Sequence, residues 1–135
     1  MFEHILTALD GSQHDSKTLA AAEELARLSG GQVRVLHVWG GHLSDRVGFG
    51  PDEAHDHGSK LVNTAVADLV AAGLKATGTV RDSPSGLVAT EILEEAEESR
   101  ASVIVMGSRG RGDLKGLLMG STTHKVLQRG RLPVV

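Results

Sequence analysis

A glycine-rich segment near the C-terminus carries the clearest signal for chemistry in this sequence. Gly107–Gly110 (GSRG) is followed, after nine residues, by Gly120–Thr122 (GST). The segment follows an apolar run that predicts a buried strand and precedes a run that predicts a helix. Glycines let backbone N–H groups approach a ligand, and a helix N-terminus adds unpaired N–H groups and partial positive charge. This arrangement indicates an anion site, most often for phosphate.

Side chains in the same segment support this interpretation. Arg109, Arg111 and Lys115 would add positive charge, and Ser121 and Thr122 place hydroxyls where the helix begins. A simpler interpretation stays open, in which the glycine before Ser121 only makes a turn and Ser121 only caps the helix.

The spacing differs from two common phosphate motifs. A Walker A loop needs Lys directly after its last glycine, whereas Ser121 follows Gly120. A dinucleotide fingerprint needs a third glycine three residues after the second, whereas Gly116 comes four residues after Gly112. Neither P-loop hydrolysis nor NAD binding is therefore predicted.

Two other groups of polar residues suggest weaker alternatives. The loop predicted over residues 39–57 contains His and Asp residues that could ligate Zn²⁺ or Ni²⁺, or could form a polar surface; they are His42, Asp45, His55, Asp56 and His57. Asp10, Ser12 and His14 are the residue types of a hydrolytic triad, but they fall within one turn and lack a nucleophile elbow. A capping box from Ser12 to Asp15 explains Ser12 more simply.

Composition narrows the class of protein. The chain has 135 residues, which favours one domain. A net charge of −3 and 2% aromatic residues argue against nucleic acid as a partner. The sequence lacks cysteine, which fits a cytoplasmic protein. It also lacks an apolar run of about 18 residues, so we expect neither a membrane span nor a signal peptide.

Hydrophobic periodicity predicts five strands alternating with four helices. The strands are expected at residues 5–9, 33–38, 74–80, 102–106 and 133–135, with Ser83 as the N-cap of the third helix and Pro84 in its first turn. The glutamates of that helix (Glu91, Glu94, Glu95, Glu97 and Glu98) are expected to form a solvated face. Alternation of this kind predicts an open parallel sheet with helices on both faces. The apolar first and fourth strands favour the order 3-2-1-4-5, with a ligand crevice where the winding reverses.

The sequence resembles the universal stress protein family, in its ATP-binding branch. The resemblance includes residues 5–12 (ILTALDGS), 35–38 (VLHV) and 105–110 (VMGSRG), together with the G-x-x-G, nine residues, G-[ST] spacing. It runs over nearly the whole length, so residues 1–135 are expected to form one such domain. It implies a Rossmann-like fold of the adenine-nucleotide alpha hydrolase type.

The resemblance also implies a site for ATP and Mg²⁺ between strands 1 and 4. Asp10 would lie near the ribose and the metal-bound phosphates, and Ala8 and Val38 would line the adenine pocket. The ribose and phosphates would meet residues from the two glycine segments and the strand before them: Met106, Gly107, Arg109, Gly110, Gly120, Ser121 and Thr122.

The expected function is that of an ATP-binding regulatory module in a stress response, with a protein partner and at most slow hydrolysis. An ATPase or phosphotransferase that uses Arg109 and Arg111 as transition-state clamps is the enzymatic alternative. A nucleotide-free interaction module is the third. We expect a homodimer formed by antiparallel pairing of the strand containing Val134 and Val135.

Overall fold

Strands and helices alternate along the chain in the computed structural model, which describes residues 2–40, 51–83, 87–107 and 121–135. The strands are β1 (His4–Leu9), β2 (Gln32–Gly40), β3 (Ala76–Ser83) and β4 (Val103–Met106). The helices are α1 (Asp15–Ser29), α2 (Pro51–Ala71), α3 (Val88–Glu98) and α4 (Ser121–Arg129). Within these ranges, no helix is long and apolar enough to cross a membrane.

The four strands form one parallel sheet in the order β3-β2-β1-β4. The predicted parallel α/β class, the order of these four strands and the edge position of β3 are therefore confirmed. The prediction of five strands is wrong. Residues 133–135 supply a single parallel bridge between Val134 and Ile104, held by Ile104 N donating to Pro133 O (3.0 Å) and Val135 N donating to Ile104 O (2.9 Å). Three residues form one bridge here and not a ladder.

The sheet is covered on both faces, as predicted, and each face has its own apolar cluster. Successive strand residues point to opposite faces. On one face, Ile5, Val33 and Val103 pack with α1 and α2; we call this the α1/α2 face. On the other, Leu6, Leu36 and Ile104 pack with α3 and α4; we call this the α3/α4 face.

Two boundaries differ from the predictions. α2 begins at Pro51, so residues 51–57 are helical and not part of a loop. Proline at the first helical position, followed by Asp52 and Glu53, is a signal for the start of a helix. The loop prediction gave more weight to the many His and Gly residues of this segment. Ser83 is the last residue of β3, and the N-cap of α3 is Leu87. The N-cap prediction for Ser83 is therefore wrong, because pairing of Ser83 with Gly40 extends the β2–β3 ladder; Pro84 lies outside the described residues.

The solvated face predicted for the glutamates of α3 is correct for Glu94, Glu97 and Glu98, which are exposed, but wrong for Glu95. Glu95 is 5% exposed. Its two oxygens accept from Arg34 Nε (2.5 Å) and Arg81 Nη1 (3.0 Å). Arg81 also bonds Glu91 at 2.9 Å and Glu94 at 3.0 Å. Two arginines that project from β2 and β3 thus turn part of this acidic helix face into a contact with the sheet.

Candidate functional site

The carboxyl ends of β1, β2 and β4 bring three of the predicted site residues to one face of the sheet. Ala8 pairs with Met106 of β4 and with Leu36 of β2. Val38 lies two residues beyond Leu36 and therefore on the same side of the strand. All three predicted residues contribute to the cluster on the α3/α4 face. They form an apolar floor at the strand ends, where open α/β sheets bind ligands.

The turn after β1 is built by two carboxylates. Asp10 Oδ1 accepts from Ser12 N (2.9 Å). Asp15 at the start of α1 accepts from Asp10 N through Oδ1 (3.1 Å) and from Gly11 N through Oδ2 (2.8 Å). Gly11 has φ +80°, a left-handed conformation that glycine adopts without a Cβ clash. The turn therefore holds Asp10 at the end of the central strand.

The predicted capping box is wrong, since Asp15 is itself the first residue of α1 and bonds backward to Asp10 and Gly11. Ser12 Oγ accepts from His14 N at 3.2 Å. The contacts observed among Asp10, Ser12 and His14 thus run through backbone amides, which is a turn geometry.

Asp15 has an altered acidity. Burial raises its pKa to about 6, and the charge of Asp10 adds to this rise, while hydrogen bonds from the amides of Asp10 and Gly11 oppose it. An acid whose pKa is higher in the folded than in the unfolded state stabilises the fold when protonated. The stabilisation is complete below about pH 4 and is lost as the pH rises through about 6.

We therefore expect the stability difference between the wild type and Asp15→Asn to depend on pH. The wild type should lose about 1 kcal/mol relative to the variant between pH 4 and pH 6, after allowance for solvent screening of this half-buried group. Urea unfolding at several pH values measures the difference, in which other titrating groups cancel. A constant difference over this range would contradict the assigned acidity.

The N-terminus of α4 is joined to the carboxyl end of β4. Thr123 is buried, and its Oγ1 donates to Gly107 O at 2.6 Å. This bond sets the first turn of α4, which contains Ser121 and Thr122, beside the strand end that carries Met106. The partial positive charge of a helix N-terminus therefore lies next to the apolar floor.

The remaining predicted site residues lie outside the described part of the chain. They are Arg109, Gly110 and Gly120, together with Arg111 of the enzymatic alternative. His42 and Asp45 of the metal alternative also lie outside it, whereas Asp56 and His57 are exposed on α2. Within the described ranges, no group of three or more metal-ligating side chains is present.

A groove of about 770 Å³ lies elsewhere, on the α3/α4 face beside the amino halves of β2 and β3. Arg34 and Arg81 line it, and both are bonded to Glu95. Because these cations are already paired with Glu95, the groove is a poor candidate for an anion site.

Two polar groups near the strand ends lie outside the predicted site. The spacing of Asp15 from Asp10 is a signal in the sequence for a turn that joins them. The burial of Ser83 at the end of β3 has no local signal in the sequence.

Comparison with known proteins agrees with this architecture. A sequence model of the universal stress protein family matches residues 1–135. The universal stress protein YxiE of Bacillus subtilis is 32% identical to this chain over an alignment of 151 residues, gaps included. The alignment covers 100% of this chain and 98% of YxiE.

Two solved structures share the fold. The protein MJ0577 of Methanocaldococcus jannaschii superposes with a TM-score of 0.83 at 24% identity, covering 100% of this chain and 94% of its own. A universal stress protein from Archaeoglobus fulgidus, solved in complex with dAMP, superposes with a TM-score of 0.73 at 23% identity, covering 100% and 96%. The match over all 135 residues and the close full-length relative lead to one conclusion: this chain belongs to the universal stress protein family.

Proposed function

We propose that this protein binds ATP with Mg²⁺ at the carboxyl ends of β1, β2 and β4. The observation that carries the proposal is the bond from Thr123 Oγ1 to Gly107 O (2.6 Å), which sets a helix N-terminus beside the apolar floor. Such a helix end favours phosphate, and the floor of Ala8, Val38 and Met106 suits a purine ring. The dAMP bound by the Archaeoglobus fulgidus protein supports an adenine nucleotide as the ligand.

The proposal gives each predicted residue a role. The backbone of Gly107, Gly110 and Gly120 would approach the ribose and phosphates. The charge of Arg109 and the hydroxyls of Ser121 and Thr122 would contact the same groups. Asp10 would hold the nucleotide-bound Mg²⁺, because carboxylate oxygens are among the ligands that this ion prefers. Asp10 Oδ1 is engaged by Ser12 N, so the turn holds the carboxylate at this end of β1.

We propose a cytoplasmic, single-domain regulatory module of the stress response, with at most slow hydrolysis.

We further propose a homodimer that pairs through residues 133–135, where Val135 is 61% exposed. Sedimentation equilibrium tests the dimer, and a monomer at micromolar concentration would exclude it.

Calorimetric titration with ATP, in Mg²⁺ and in EDTA, tests the proposal. Thr123→Val keeps the side-chain shape but removes the bond to Gly107, so we expect ATP affinity to fall about tenfold, equivalent to one hydrogen bond. Asp10→Asn keeps an oxygen that accepts from Ser12 N, so it should reduce mainly the gain in affinity that Mg²⁺ produces.

Thr90→Val is the matched control. Thr90 Oγ1 accepts only a long, exposed bond (3.4 Å) from Arg129 among the contacts described, so ATP affinity should not change. Absence of ATP binding by the wild type would exclude the proposed function. Binding that is unchanged in Thr123→Val would exclude α4 as the phosphate-binding helix.

A further inference from the structure

Ser83 carries a buried hydroxyl that has no hydrogen-bond partner among the residues that the structure describes. The residue ends β3 and is 2% exposed. In the described part of the chain, Ser83 Oγ makes no hydrogen bond. Burying a hydroxyl without a partner is unfavourable for folding. Such a hydroxyl keeps its hydrogen-bonding capacity for a ligand, if its position in the fold brings it to a binding site.

The register of the sheet places Ser83 on the face that carries the apolar floor. Val38 pairs with Arg81 and Gly40 pairs with Ser83. Because side chains alternate along a strand, Ser83 shares the α3/α4 face with Val38. The pair Gly40–Ser83 lies two residues beyond the pair Val38–Arg81, toward the carboxyl ends where the nucleotide is proposed to bind.

The strand order then separates the two ends of the ligand. The proposed phosphate site lies at β4 and α4, and β3 is the strand furthest from it in the order β3-β2-β1-β4. Three strand spacings of about 4.8 Å separate β3 from β4. A nucleotide with its phosphates at β4 and its ring over Ala8 and Val38 therefore directs the far edge of the base toward β3.

We propose that the Ser83 hydroxyl hydrogen-bonds the Watson–Crick edge of the bound purine, an inference that rests on the proposed function. This edge is opposite the bond to ribose, and in adenine it presents the N1 acceptor and the 6-amino donor. A serine hydroxyl donates one hydrogen and accepts at two lone pairs, so it matches either group.

The test compares ATP with two analogues in wild type and Ser83→Ala. One analogue is purine riboside 5′-triphosphate, which lacks the 6-amino group, and the other is 1-deaza-ATP, which lacks N1. We expect Ser83→Ala to weaken ATP binding about fivefold to tenfold, the effect of one hydrogen bond. The weakening should shrink to less than twofold for the analogue that lacks the partner of Ser83.

Thermal unfolding without nucleotide separates this role from a structural one. Because Ser83 Oγ has no protein partner in the described chain, the melting temperature of Ser83→Ala should stay unchanged or rise. Thr7→Val is the matched control. Thr7 is fully buried on the α1/α2 face and its Oγ1 also lacks a partner there, so this variant should keep wild-type ATP affinity.

The outcomes distinguish the two proposals. If the wild type does not bind ATP, the proposed function fails. If the wild type binds ATP but Ser83→Ala binds it equally well, or loses the same factor for all three nucleotides, the role of Ser83 fails. A lower melting temperature for Ser83→Ala with unchanged affinity would show a structural hydroxyl and would also overturn the inference.

Discussion

Replacement of Gly78 by valine is expected to lower the free energy of unfolding by about 3 kcal/mol, the upper range for overpacking a core. A Cβ atom at Gly78 would lie 2.3 Å from Val62 Cγ1 and 3.0 Å from Val66 Cγ2. Both valines belong to α2, where a β-branched side chain has one strongly preferred rotamer and cannot turn away. Chemical denaturation followed by far-UV circular dichroism measures the loss.

A second substitution shows whether the clash is the cause. Val62→Ala should itself be destabilising, because it leaves a cavity under α2. In the Val62→Ala background, Gly78→Val should become neutral or stabilising, since the new side chain fills the space left by Val62. An equal penalty in both backgrounds would assign the effect to the backbone of β3 and not to packing against α2.

Replacement of Arg81 by methionine should lower the free energy of unfolding by about 2 kcal/mol. Arg81 is the shared partner of four glutamates on α3, and its side chain is only 19% exposed. Its loss leaves Glu95, with a 6% exposed side chain, paired with Arg34 alone. Removing one partner of a fully buried ion pair costs about 3–5 kcal/mol, and the remaining contact with Arg34 reduces that cost.

Arg27→Met is the matched control for charge. Arg27 pairs with Glu23 on the exposed surface of α1, with side chains 56% and 35% exposed. Such pairs contribute about 0.3–0.5 kcal/mol. Urea unfolding at constant ionic strength compares the two variants. Equal losses would show that the contact of Arg81 with α3 behaves as a surface pair.

The order of the strands was predictable because it follows from local patterns. The apolar runs of β1 and β4 indicate strands that are buried on both faces. The helical spacing of Ala22 and Ala26 indicates which side of α1 is buried. Alternating strands and helices then restrict the sheet to a few parallel topologies. The positions of Ala8, Val38 and Met106 in one site came instead from the resemblance to the universal stress protein family, and the observed register brings the three to one face of the sheet.

The wrong predictions for Glu95 and Ser83 have one cause, which is contact between segments far apart in the sequence. Glu95 resembles its neighbours in sequence, yet its partner Arg34 is 61 residues away. Ser83 and its neighbouring proline form a good helix start locally, but pairing with Gly40 keeps Ser83 in the strand. In both cases a contact between distant segments outweighed a local preference, and propensity alone cannot report such a contact.

Two kinds of property exist only in the folded chain: the burial of a polar side chain, and the close approach of a helix to the sheet. At Gly78, α2 approaches the sheet so closely that a Cβ atom would meet Val62 Cγ1 at 2.3 Å. The acidity of Asp15 follows from its burial beside Asp10, five residues away. Periodicity and glycine spacing thus specified the type of fold and the edge where we propose that a nucleotide binds. Packing decided which charges are buried and which hydroxyls lack a partner among the described residues, because these depend on atoms that meet only when distant segments fold together.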